Sequence, residues 1–308
     1  MSEIEGFKSG YIALVGRPNV GKSTLMNAMI GEKVSIATHK PQTTRHRILG
    51  IKSTDHAQLI FVDTPGFHLD AKRQINKVMN KTALNTLPDV DVIALVIQAG
   101  KWTKEDQALL DKIKQHQQPV VAIINKIDLL DDKDALLPYT HTLSERMDFA
   151  DIVPVSALRS NGIAQLTTTL GHYLPYGPAF FDEDQLTDRT LRFLVAEHIR
   201  EQVFLQMHQE IPYSSTVEIN RMQEQMTTGA TPRPLTRIEA TIWVERTNQK
   251  GMIIGKQGQR LKHIGKQARL STEQMLGQKV FLELWVKVRE NWSDDERALQ
   301  SLGVVDPA

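Results

Sequence analysis

The run Gly16-Arg17-Pro18-Asn19-Val20-Gly21-Lys22-Ser23 sets two glycines, a lysine and a hydroxyl at the spacing of a phosphate cradle. Backbone amides of such a loop, and the first turn of the helix after it, attract negative charge. Lys22 would supply a positive charge to the β- and γ-phosphates of a nucleotide, a catalytic as well as a binding role. Ser23 would place its hydroxyl on a magnesium ion. The apolar stretch 11–15 before the loop reads as a strand and the stretch 24–29 after it as a helix, which is the context this motif needs.

Three further segments follow, each at the end of an apolar strand-like run. Leu59-Ile60-Phe61-Val62 leads into Asp63-Thr64-Pro65-Gly66. Asp63 can hold a magnesium shell through water, and the Gly66 amide can reach a γ-phosphate. Residues 120–124 deliver Asn125-Lys126-Ile127-Asp128. A carboxylate at Asp128 matches the ring N–H and exocyclic amine of guanine, a donor pair adenine lacks. Asn125 would brace the purine edge and the Lys126 stem would lie over the base. Residues 152–155 end at Ser156-Ala157-Leu158, whose backbone amides are expected at the guanine carbonyl. Four such segments at carboxyl ends of strands are where open α/β sheets bind ligands, here GTP or GDP.

Strand and helix patterns alternate from residue 11 to about 173, predicting a mainly parallel, doubly wound sheet. The segment 35–42 has no clear periodicity and leads into Thr43-Thr44-Arg45, the place for a nucleotide-sensing switch. Thr44 is the candidate for a magnesium-binding, catalytic threonine, with Thr43 left open beside it. Pro175-Tyr176-Gly177-Pro178 then breaks the pattern. The boundaries expected are a nucleotide-binding domain over 1–176, a linker over 177–188 and a second domain over 189–308.

That second part reads helix, strand, strand, helix, Gly255-Lys256-Gln257-Gly258, helix, strand. A G-x-x-G loop between two helices is the setting of a KH domain, where glycines let a single-stranded RNA backbone approach closely. Every charged residue from 246 to 269 is basic: Arg246, Lys250, Lys256, Arg260, Lys262, Lys266 and Arg269. A basic run alone is a solvated face; joined to the G-x-x-G it is an electrostatic footprint for nucleic acid. A net charge of +1 in 308 residues argues against bulk nucleic-acid packaging, and the absence of cysteine excludes disulfides and thiolate chemistry. The acidic start Met1-Ser2-Glu3-Ile4-Glu5 is no secretion signal, and the longest apolar run, 92–97, is too short to span a bilayer, so a cytoplasmic protein is expected.

The loop R-P-N-V-G-K-S-T, the stretch P-Q-T-T-R-H-R-I, the D-T-P-G, N-K-I-D and S-A-L elements, M-I-I-G-K-Q-G and L-E-L-W-V-K-V together resemble the bacterial Era GTPases over nearly the whole chain. The resemblance implies an α/β P-loop GTPase domain followed by an α+β type II KH domain. It also implies a GTP-hydrolysing switch that binds 16S rRNA near its 3′ end and serves 30S subunit assembly. A monomer is implied, cytoplasmic with some peripheral inner-membrane association. Related GTPases use an asparagine at the position of Asn19 to hold potassium, whose charge would assist hydrolysis. Phe67 stands where Ras-type domains carry a water-orienting glutamine, so slow intrinsic turnover is expected. Residues 37–38 and 226–234 match the family loosely. His39, His46, His68 and His263 read as surface or packing residues. The rival functions are a GTPase of another RNA pathway, such as tRNA modification, and a KH RNA chaperone with a non-hydrolysing G domain.

Overall fold

The computed structural model describes residues 6–40, 43–67, 74–207, 211–227, 232–290 and 292. Backbone contacts divide the chain into two compact units, with the change after Asp188.

The first unit is built on β1 (Lys8–Val15), α1 (Lys22–Ile30), β2 (Ile48–Ser53), β3 (Ala57–Asp63), α2 (Gln74–Asn85) and β4 (Val92–Gln98). α3 (Lys104–Ile113), β5 (Val120–Asn125), α4 (Leu136–Ser144), β6 (Asp151–Pro154) and α5 (Ile163–His172) complete it. The sheet order is β2-β3-β1-β4-β5-β6, with only β2 antiparallel to its neighbour. Inner strands β4 and β5 are apolar on both faces up to Gln98 and Asn125 and buried except at Gln98, as a parallel sheet covered by helices requires. Ile93, Leu95 and Ile97 of β4 pack with Leu109, Leu110 and Ile113 of α3. β1 lies between β3 and β4, and the chain passes from β3 across β1 to β4 on its other side. The crevice at the carboxyl end of β1 is therefore the topological switch point, and the loop 16–23 starts there.

The stretch 177–188, the expected linker, is fastened to this first unit. Ser9 Oγ donates to the Pro178 carbonyl at 2.6 Å, and the Phe180 and Phe181 amides donate to Gln58 Oε1 at 2.8 and 3.0 Å. Further on, the Ile51 amide meets the Leu186 carbonyl at 2.8 Å and the Leu49 amide meets Asp188 Oδ1 at 3.1 Å. The physical reason is the edge strand. β2 has a row of unpaired backbone groups, and the segment covers it.

The second unit comprises α6 (Leu191–Gln206), β7 (Ser215–Met226), β8 (Pro234–Val244), α7 (Thr247–Ile254), α8 (Gln259–Leu276) and β9 (Lys279–Val288). β7 pairs antiparallel with β8, and β8 pairs parallel with β9. Parallel pairing needs a crossover, and the α7–α8 pair with its glycine loop supplies it. Val195, Ile199 and Val203 of α6 join Ile264 and Ala268 of α8 over Ile238 and Ile242 of β8.

Candidate functional site

The glycine loop leaves β1, and its Lys22 turns back into it. Lys22 Nζ donates to the carbonyls of Gly16 at 3.0 Å and Arg17 at 3.3 Å. Burial pushes this ammonium down to about 8, with Arg17 adding to the shift and Asp63 opposing it. Asp63 is fully buried at the end of β3, and burial pushes its carboxyl up against the opposing effects of Ser23, Lys22, Ser35 and Thr44. A buried cation and a buried anion, each disfavoured in its charged form, suit a site completed by phosphate oxygens and a metal ion.

Hydroxyls converge on that carboxylate. Ser23 Oγ donates to Asp63 Oδ2 at 2.6 Å, Ser35 Oγ donates to the same oxygen at 3.0 Å, and Thr44 Oγ1 lies 2.8 Å from Ser23 Oγ. Asp63 Oδ1 is buried without a partner. An orphaned carboxylate oxygen beside two alcohols is a donor set of oxygens alone, which fits magnesium. Thr43 points elsewhere: its hydroxyl donates to the Lys40 carbonyl at 2.7 Å and lies 2.6 Å from Thr38 Oγ1. Of the two threonines, Thr44 is the one whose hydroxyl lies beside Ser23.

Arg17 does not turn its charge to the cradle. Its Nε donates to Asp106 Oδ2 at 3.1 Å and its Nη2 to Gln98 Oε1 at 3.3 Å. Asp106 also accepts from the Thr103 amide and hydroxyl, capping α3. Asn19 is exposed with a left-handed φ of 63°, a conformation asparagine tolerates. Gly66 lies against Pro18, where an added Cβ would come within 2.9 Å of the proline. Thr64 is buried and bonds the Leu14 carbonyl at 2.9 Å, Pro65 is buried beside it, and the Phe67 amide bonds Gly16. The Phe67 ring packs in the core and carries no group that could orient water.

At the other end of the crevice, Asn125 ties the loops together. Its Nδ2 donates to the Val20 carbonyl at 2.8 Å, while its Oδ1 accepts from the Lys126 amide at 2.8 Å and the Ala157 amide at 3.0 Å. Lys126, also left-handed at φ 64°, reaches the Asn19 carbonyl at 2.5 Å, and burial lowers its pKa. The Ile127 amide bonds the Val155 carbonyl at 3.3 Å, and Gly21 accepts the Leu25 amide at 2.8 Å. Asp128 is exposed and accepts the Ser156 hydroxyl. The Ser156 amide bonds the Asn161 carbonyl and the Ala157 amide bonds Asn125 Oδ1, each at 3.0 Å, which braces the loop that carries them.

In the second unit, the loop between α7 and α8 is held in a shape only glycine allows. Gly255 has φ 71°, and a Cβ there would sit 2.7 Å from that of Arg260. Gln257 at φ 50° and Gly258 at φ 74° complete the turn. Lys256 and Gln257 are exposed at its tip, next to the uncapped start of α8, where free N–H groups favour anions. Arg246, Arg260, Lys262 and Lys266 are exposed, and Lys250 is half-buried. Arg260 braces the Met252 carbonyl at 2.7 Å. Arg269 is half-buried and pairs with Glu273 at 2.8 Å. Of the histidines, His46 is buried and His39 and His263 are exposed, while His68, like residues 41–42 and 228–231, lies outside the described residues.

A family model described as "50S ribosome-binding GTPase" matches residues 11–126, and one described as "KH domain" matches residues 210–293. GTPase Era of Xanthomonas campestris pv. campestris is 50% identical over 303 residues, 98% of this chain and 99% of that protein. GTPase Era of Nitrosomonas eutropha is 50% identical over 298 residues, 97% and 98% of the two chains. The chain belongs to the Era family of GTPases. Era-family folds agree as well. A crystal structure of Era in complex with MgGDPNP and nucleotides 1506–1542 of 16S ribosomal RNA superposes with a TM-score of 0.91 at 40% identity, covering 97% of this chain and 99% of that one. An Aquifex aeolicus Era variant bound to GDP and AlF4− gives the same TM-score and identity over 97% and 100%.

Ser35 and Asp106 carry no sequence signal for the site. Thr103-x-x-Asp106 can be read as a helix cap, but its pairing with Arg17 spans 89 residues.

Proposed function

We propose that this Era-family GTPase is a magnesium-dependent switch that holds a single-stranded segment near the 3′ end of 16S rRNA while the 30S subunit assembles. The observation that carries it is the 0.91 TM-score, across both units, to Era holding MgGDPNP and that RNA.

Lys22, released from the Gly16 and Arg17 carbonyls, would exchange them for β- and γ-phosphate oxygens and recover its full charge. Ser23, Thr44 and, through water, Asp63 would hold magnesium, which supplies charge neutralisation at the phosphates. Asp128, steadied by Ser156, would accept from guanine, and Asn125 keeps the base and phosphate loops in register. Phe67 offers nothing to the attacking water, which supports slow turnover until another group completes the site. Potassium at Asn19 is that group in this reading. In this reading the protein acts as a cytoplasmic monomer; among the described residues no helix is long and apolar enough to cross a membrane, and any inner-membrane contact would be peripheral.

The test pairs two titrations on Lys256→Asp/Gln257→Asp. RNA from the 3′ end of 16S rRNA should lose binding at moderate salt, because two negative charges replace the loop tip that meets phosphate. Fluorescent GDP affinity should stay at the parent value. Parent-like RNA affinity in the double variant would refute the reading of this loop.

A further inference from the structure

Ser35 is the one hydroxyl on the Asp63 carboxylate that sequence motifs do not explain. Its side chain is 2% exposed and donates to Asp63 Oδ2 at 3.0 Å. Its backbone is clamped by Asn27 of α1: Asn27 Nδ2 donates to the Ser35 carbonyl at 2.7 Å, and Asn27 Oδ1 accepts from the Val34 and Ser35 amides at 3.1 Å each. Ser23, the other donor to Oδ2, sits one helical turn before Asn27 on the same helix.

We propose that Ser35, fixed by Asn27, is a positioning residue for the metal site, orienting Asp63 so that its unpartnered Oδ1 is the oxygen offered to the magnesium shell. This rests on the magnesium reading above. A hydroxyl has one proton and two lone pairs, so Ser23 can offer a lone pair to a cation and still donate to Oδ2. Ser35 is the second donor on that oxygen, and Asn27 holds its amide and carbonyl together with the Val34 amide. With two donors on Oδ2, Oδ1 is the oxygen left for the magnesium shell.

The experiment follows release of fluorescent GDP from the full-length protein while free Mg2+ is titrated against EDTA. Ser35→Ala should need about tenfold more Mg2+ for half-maximal retention, the scale of one hydrogen bond to a charged group. Its release rate in EDTA alone should equal the parent's, because Ser35 is assigned no phosphate contact. Ser35→Thr, which keeps the hydroxyl, should behave as parent. An unchanged Mg2+ requirement in Ser35→Ala overturns the proposal, and so does an equal loss with and without Mg2+. Should Ser35→Ala fail to unfold cooperatively, Asn27→Ala carries the test, and an unshifted Mg2+ requirement there overturns it. A parent protein indifferent to Mg2+ would instead bring down the magnesium reading, and this inference with it.

Discussion

Replacing Asn125 by alanine should damage the first unit more than it damages any contact with a base. The side chain is 1% exposed and joins three loops through the Val20 carbonyl, the Lys126 amide and the Ala157 amide. Alanine leaves all three without that partner. The Lys126 amide is partly exposed and can turn to water, so it adds little. The Val20 carbonyl and Ala157 amide are buried, and each orphaned buried group costs about 1–3 kcal/mol. The sum is roughly 2–6 kcal/mol, against a typical domain stability of about 5–15 kcal/mol. Urea unfolding followed by circular dichroism measures it, taking as the first unit's transition the one that GDP shifts. A loss below about 0.5 kcal/mol, the scale of an ordinary surface change, would refute the argument. It would mean that the loops hold their register without this tie.

Asp128→Asn removes the acceptor for two guanine donors; with about 1.5–3 kcal/mol per charged hydrogen bond, GTP affinity should fall on the order of a hundredfold or more while xanthosine triphosphate gains, and competition binding reads both. In the nucleotide-free protein Lys22 loses its proton near pH 8, whereas an unfolded lysine keeps it to about 10.4. The unfolded chain therefore binds more protons in that window, so apo stability should rise with pH there, and GDP affinity, which needs the charged lysine, should fall by up to about tenfold per unit. Guanine also loses a ring proton in alkali, so calorimetry on Lys22→Arg is the control: an equally steep fall in that variant would remove Lys22 as the cause. Turnover in buffer should be slow and faster in potassium than in sodium; equal rates measured by phosphate release would dismiss Asn19 as a cation ligand.

The chemistry of the nucleotide site was legible in the sequence because its residues come as short contiguous motifs, each forced to a strand end by an apolar run. Gly16 to Ser23, Asp63 to Gly66 and Asn125 to Asp128 needed no tertiary information, since the strand delivers the loop and the loop carries the group. The KH loop was legible for the same reason: glycines at 255 and 258 are demanded locally by backbone conformation. What only the tertiary structure decided are the contacts between elements distant in the chain. Arg17 belongs to Asp106, the 177–188 segment belongs to the edge of the first sheet, and Ser35 belongs to Asp63. Thr44 rather than Thr43 meets Ser23 because a non-periodic segment has no face that sequence could assign. Hydrogen-bond partners across a fold are set by where strands and loops converge, and side-chain type alone records only that a partner is needed.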